Sequence, residues 1–163
     1  MKIRLAQIED IPAILTLLQQ VGKVHHIARP DIFRSDARKY GASQLIDLFE
    51  NPDTPVFVAE VEGHVLGYCF CIIRSYQQDP VLLDRTELYI DDLCVSEDAQ
   101  RQGIGKALYE NACHYAKIRK CYHVTLNVWE GNDSALAFYK SLGMKPLKYC
   151  METILEDADA GKE

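Results

Sequence analysis

The chain has no apolar run approaching the roughly 20 residues that a membrane-spanning helix needs. It also lacks a signal-peptide core, because Met1-Lys2-Ile3-Arg4 leads straight into a strand pattern. The expectation is a cytoplasmic protein with no membrane partner. Basic residues are the minority, 18 Lys and Arg against 24 Asp and Glu for a net charge of −6. That balance lacks the basic face a nucleic-acid partner requires. Cys-x-x-Cys pairs are missing, although there are six cysteines (Cys69, Cys71, Cys94, Cys113, Cys121 and Cys150). Their spacing gives neither a disulfide framework nor a metal-ligand set, so free thiols packed as small hydrophobes and no metal are expected. The Gly-x-x-x-x-Gly-Lys-Ser/Thr and Gly-x-Gly-x-x-Gly patterns are both absent, which excludes a P-loop and the dinucleotide fingerprint. No repeat, low-complexity block or linker divides the 163 residues. One domain over residues 1–154 with a polar tail over 155–163 is expected.

What is present is organised around Leu88-Tyr89-Ile90-Asp91-Asp92-Leu93-Cys94-Val95, an apolar, aromatic and β-branched run that reads as a largely buried strand. After the short link Ser96 to Ala99, the turn Gln100-Arg101-Gln102-Gly103-Ile104-Gly105 opens into a helical pattern of Ile104, Leu108, Ala112 and Tyr115. Strand, glycine turn and helix aim several free N–H groups at one point, at the positive end of the helix dipole. Gly103 and Gly105 carry no Cβ, so a phosphate can come close to the backbone, and Arg101 and Lys106 flank the turn with positive charge.

Taken in order, Lys2 to Ala6 reads as a strand. Asp10 reads as the cap of a helix with Pro12 in its first turn, its core face formed by Ile11, Ile14, Leu15 and Leu18, and its end at Gly22. Residues 23–41 mix aromatics and charge (His25, His26, Phe33, Tyr40 among them), which suits substrate contacts by His26 and Phe33 as well as it suits a solvated connector. Ser43 is expected to cap a short helix. Strands Val56–Val61 and Val65–Ile73 follow, joined by Glu62-Gly63 in hairpin style. Arg74 to Arg85 reads as a polar link, Tyr122 to Trp129 as a strand, and Gly131 to Ser134 as the turn capping a helix that Gly143 ends. Lys145 to Ile154 reads as a last strand, and Glu156 to Glu163 as a frayed tail. This order implies an α/β protein: a mixed sheet covered by helices, with a parallel crossover from the organising strand to the Tyr122 strand.

Asp91 and Asp92 stand out, because two carboxylates in an apolar strand are costly to bury without a partner or a purpose. They are candidates for holding an acceptor or moving its proton; the alternative is an aspartate that only satisfies backbone donors. Glu87, at alternate spacing from Tyr89 and Asp91, joins them on one face unless a bulge changes the phase.

Two motifs in this order resemble the GNAT superfamily of acetyl-CoA-dependent N-acetyltransferases. One is Gln100-x-x-Gly103-x-Gly105 after an apolar strand. The other is Asn132-x-x-Ala135-x-x-Phe138-Tyr139-x-x-Leu142-Gly143-Met144, with methionine where phenylalanine is usual. The resemblance implies a twisted, mostly antiparallel sheet with a bulged strand splayed from its parallel neighbour, flanked by about four helices, with acetyl-CoA in the V and no metal. It assigns backbone contacts with the cofactor to Leu93, Cys94 and Val95, the pyrophosphate to Gln100, Arg101, Gln102, Gly103, Ile104, Gly105 and Lys106, and the pantetheine arm to Asn132, Ser134 and Ala135. Tyr139 resembles the family's general acid, a phenol with a pKa near 10 handing its proton to a thiolate whose acid lies near 8.5. Asp91-Asp92 resembles the acidic pair of polyamine N-acetyltransferases, with Glu87 beside it. The implied reaction is direct transfer to a primary amine, small (a polyamine or diamine) or on a peptide, by a homodimer. A non-catalytic acyl-CoA sensor on the same fold is the alternative.

Overall fold

The computed structural model, which describes residues 1–155, builds five strands into one sheet. Strands β1 (Lys2–Leu5), β2 (Val56–Val61), β3 (His64–Tyr76), β4 (Arg85–Val95) and β5 (His123–Leu126) lie side by side in that order. The first four run antiparallel to their neighbours, and β4 and β5 are parallel. Glu62 and Gly63 both take positive φ, 49° and 81°, the pair of left-handed residues that a tight hairpin between twisted strands requires. The parallel pair is joined through α3 (Ile104–Ile118), because parallel neighbours need a crossover long enough to return the chain.

Alternation along the strands splits the core in two. Phe57, Cys69, Cys71, Leu88 and Ile90 face α3, meeting Ile104, Leu108, Ala112 and Ala116. Val56, Val58, Tyr68, Phe70 and Cys94 face the other way, against Ile11, Ile14, Leu17 and Leu18 of α1 (Ile11–Ala28) and Leu45 of α2 (Ala42–Glu50). Each fully buried leucine or isoleucine here contributes about 1.5–3 kcal/mol. Helix α4 (Asp133–Ser141) returns over α3 and sets Phe138 against Gly105.

Several element boundaries differ from those expected. Helix α1 does not stop at Gly22 but runs on to Ala28. A Cβ at Gly22 would collide with the carbonyl oxygen of Ala37, so this glycine serves the close approach of the α1–α2 connection rather than a helix end. The Asp10 carboxylate does not cap α1. It pairs with Arg4 at 2.7 and 2.9 Å and accepts from the Gln7 N–H at 2.8 Å, and the Arg4 guanidinium holds it below the usual carboxylate range. Gly41, not Ser43, stands at the N-cap of α2, its N–H donating to Gln44 Oε1 at 2.9 Å. Strand β3 extends through Tyr76 into the expected link, whereas β5 ends at Leu126. Residues 145–155 enter no ladder in place of the expected last strand, although Arg29 ties Glu152 to the end of α1 at 2.6 Å. The tail expected beyond residue 155 lies outside the described residues.

Candidate active site

The site begins with one extra residue. Strand β3 pairs Phe70 with Asp92 and then Cys71 with Ile90, leaving Asp91 as the unmatched residue of a β-bulge. Without the bulge, consecutive aspartates would point to opposite faces. With it, both carboxylates reach the aromatic cluster on the α1–α2 side of the sheet. Asp91 Oδ2 accepts from Tyr40 Oη at 2.6 Å and Asp92 Oδ2 from Tyr68 Oη at 2.8 Å. Both tyrosine rings pack against Phe70, at ring distances of 5.3 and 4.7 Å.

The bulge lies where the parallel ladder stops. Ile90 and Leu126 are the last paired residues of β4 and β5, so β4 continues from Asp91 to Val95 with no strand of the described residues beside it on that edge. This is the splay expected of the strand pair. Gln20 spans its base: its side-chain amide donates to the Val95 carbonyl at 3.0 Å and accepts from the Glu97 N–H at 3.2 Å.

Beyond the open edge, the Gln100–Lys106 turn presents its backbone. Arg101 and Gly103 have φ of 61° and 83°, left-handed positions that turn neighbouring N–H groups toward one point. Among the described residues no side chain caps α3, which leaves its first-turn donors open to an anion. A Cβ on Gly103 would meet nothing within 4 Å, so positive φ is what that position demands. The missing Cβ of Gly105 also serves packing. A Cβ there would come 3.2 Å from Phe138 Cζ, so its absence lets α4 pack closely on α3. The free donors, the open backbone and the flanking Arg101 form a cradle that fits a pyrophosphate.

Tyr139 stands half-buried on α4 with its ring 6.4 Å from Tyr109 and 5.0 Å from Phe138. Burial first, then the charges of Cys69 and Asp92, push its phenol well above its ordinary pKa. A phenol is already a weaker acid than a thiol. Outright transfer of its proton to a thiolate therefore runs uphill, and Tyr139 is suited instead to donating a hydrogen bond.

Asp92 is desolvated, which raises its carboxyl pKa, while the Tyr68 hydroxyl and the charges of Lys39 and His25 draw it part of the way back. Lys39 Nζ sits 2.7 Å from Asp91 Oδ1 and 3.1 Å from the Asp91 carbonyl. Cys94 is buried, with Gln20 Nε2 at 3.5 Å from its sulfur, and burial pushes its thiol up to about 12. Such a thiol is not a ready nucleophile.

Other expected site residues have different partners. Glu87 shares the face of the acidic pair, but its carboxylate is engaged by His123 at 3.0 Å, Tyr76 at 3.1 Å and Arg74 at 3.5 Å. His26 Nδ1 lies 2.7 Å from the Phe33 carbonyl, and Phe33 stacks edge-on against Trp129 at 5.0 Å. The 23–41 segment therefore reaches across to the β5–α4 connection. Asn132 caps α4 by accepting from the Ala135 N–H at 3.1 Å, and Ser134 is exposed beside it. Lys39, Tyr68, Gln20 and Trp129 were not picked out beforehand. The signal for Tyr68 was available, because two strand carboxylates must find donors and a tyrosine two residues before Phe70 on the neighbouring strand supplies one.

The bulged strand splayed from its parallel neighbour, with an uncapped helix start below the opening, is the arrangement that the GNAT resemblance implies. Residues 21–144 match the acetyltransferase (GNAT) family, and the chain belongs to it. The N-alpha-acetyltransferase of Sulfurisphaera tokodaii is 28% identical over 153 residues, covering 91% of this chain and 86% of its own length. The peptidyl-lysine N-acetyltransferase YjaB of Salmonella typhimurium is 32% identical over 114 residues, 69% of this chain and 65% of that protein. Among solved structures, the tetramutant of BH1408 protein from Bacillus halodurans has a TM-score of 0.90 at 31% identity, covering 95% of this chain and 100% of that one.

Proposed function

We propose that this enzyme transfers the acetyl group of acetyl-CoA directly to a cationic primary amine bound at Asp91 and Asp92. The observation that carries the reading is the bulge, which turns both carboxylates to one face where β4 leaves β5 and where an alkylammonium, that of Lys39, already lies 2.7 Å from Asp91. Acetyl-CoA would supply a thioester activated toward amines. The chain's part is to hold it and to position the acceptor: Gln100–Lys106 donate N–H groups to its pyrophosphate, and the free edge of Leu93, Cys94 and Val95 pairs with its arm beside Asn132, Ser134 and Ala135.

An alkylammonium with a pKa near 10.4 must lose a proton before it attacks. The Asp91 carboxylate, hydrogen-bonded by Tyr40, takes that proton through water. Tyr139 donates a hydrogen bond to the sulfur as negative charge develops there. The proton that finally reaches the sulfur comes from the nitrogen, which turns strongly acidic once bonded to carbonyl carbon. The buried Cys94 thiol supports direct transfer over an acyl-cysteine.

The acceptor is a small polyamine or diamine, as the acidic pair suggests, or a peptide amine, as the names of the two relatives suggest. An amine panel separates these, and Tyr139→Phe separates an enzyme from a sensor, since only an enzyme has turnover to lose. The cysteines are all free, which suits the reducing cytoplasm. We place the enzyme there as a homodimer. Leu147, Tyr149 and Met151 are strongly exposed at alternate positions, and β5 is one of the two edge strands of the sheet among the described residues. A second copy would cover both. Sedimentation equilibrium should give twice the chain mass, and a monomer at micromolar concentration would contradict it.

A further inference from the structure

Among the described residues, Lys39 is the lysine whose ammonium meets the acidic pair. It is the residue before Tyr40 on the connection from α1 to α2, and its side chain crosses to the bulge. There Nζ contacts both the carboxylate and the carbonyl of Asp91, at 2.7 and 3.1 Å. The Asp91 side chain is 12% exposed but that of Lys39 is 42% exposed, so the ammonium lies at the mouth of the splay and not beneath it. Its position is held by the neighbouring Tyr40, whose hydroxyl bonds the other Asp91 oxygen at 2.6 Å and whose ring packs on Phe70. Lys39 and His25 both act electrostatically on Asp92. The carboxylates that would receive an acceptor's ammonium therefore already hold one, tethered to the same chain.

We infer that Lys39 is itself an acceptor, so that the enzyme acetylates its own Lys39 side chain. The inference rests on the acetyltransferase reading above. In the step, Lys39 Nζ loses one proton to water at Asp91 and forms a C–N bond to the thioester carbonyl carbon. The C–S bond breaks, and the second proton leaving nitrogen goes to the thiolate, giving Nε-acetyl-Lys39 and free coenzyme A. Tethering gives Lys39 a high effective concentration at the reacting carbon. The product is neutral, so the ion pair with Asp91 is lost and the carboxylate is freed for a second, diffusing amine.

The test uses the whole chain with isotope-labelled acetyl-CoA and no added amine, followed by peptide mapping. Lys39 should be labelled at least about ten-fold faster than the exposed Lys106, with a rate constant unchanged on about ten-fold dilution of the protein, as an intramolecular reaction requires. Tyr139→Phe should slow the labelling, and Lys39→Arg, which keeps the charge opposite Asp91, should leave that position unlabelled in a folded protein. Labelling of Lys39 no faster than Lys106, or a rate constant that falls on dilution, overturns the inference. Thermal stabilisation by acetyl-CoA is read alongside. Stabilisation without a Lys39 label overturns self-acetylation alone, whereas no stabilisation overturns the acetyl-CoA reading with it.

Discussion

Tyr68 donates its phenol proton to Asp92 Oδ2 across 2.8 Å, from a ring that is itself fully buried. The bond satisfies one carboxylate oxygen but does not remove the cost of ionising a desolvated acid, and the pKa of Asp92 stays raised. Asp92→Asn keeps an acceptor for Tyr68 and deletes the charge. An acid with a raised folded-state pKa stabilises least once ionised. The wild type therefore loses stability as pH climbs from about 4, the unfolded carboxyl value, through the folded value of Asp92. The Asn variant should melt at a higher temperature at pH 8, with the gain vanishing near pH ~4. Scanning calorimetry across that range checks this, and turnover should fall in the same variant, as expected where activity depends on a strained charge.

Replacing Tyr139 with Phe removes a donor to the developing thiolate and little else, since the ring's contacts with Phe138 and Tyr109 remain. A hydrogen bond to a charged group is worth about 1.5–3 kcal/mol, so kcat should fall roughly ten- to a hundred-fold. The KM for acetyl-CoA should stay within about two-fold. Steady-state kinetics check both numbers, and a larger loss of kcat would restore full proton transfer to Tyr139.

Cys94→Ala separates direct transfer from an acyl-enzyme. The buried thiol packs against α1, so its loss should cost about 1 kcal/mol of stability. Turnover should remain within about three-fold, because no covalent intermediate is lost.

Gly103→Ala tests the cradle. The added methyl meets open space, but φ is 83°, and an L side chain there costs about 1–2 kcal/mol. Relief of that strain rotates the N–H groups at the start of α3. The KM for acetyl-CoA should rise about ten-fold with kcat nearly unchanged, one factor of ten per 1.4 kcal/mol.

Much of this was legible in the sequence because it is local. The Leu88–Val95 run, the glycine turn and the periodicity of α3 are each specified within about ten residues, and they locate the splay and the anion cradle. What was not legible depends on contacts between distant segments. Gly22 reads as a helix end, and only the approach of Ala37 shows otherwise. Asp91 and Asp92 read as a pair, but which face they share is set by a register shift against Phe70 and Cys71 that no pattern within β4 reveals. Lys39 reaches Asp91 across 52 positions of sequence, from a segment with no periodicity. Lys145 to Ile154 has the alternation of a strand yet joins no ladder among the described residues, because alternation records which residues want cover and not which edge provides it.

The most direct test of the account is coenzyme A release, followed chromatographically so that protein thiols do not interfere, with acetyl-CoA and a panel of polyamines, amino acids, aminoglycosides and peptides bearing free N-termini or lysines. The account predicts turnover with a cationic primary amine that collapses in Asp91→Asn while acetyl-CoA still stabilises the variant. Binding of acetyl-CoA with no release above the amine-free rate, on any member of the panel, would contradict it.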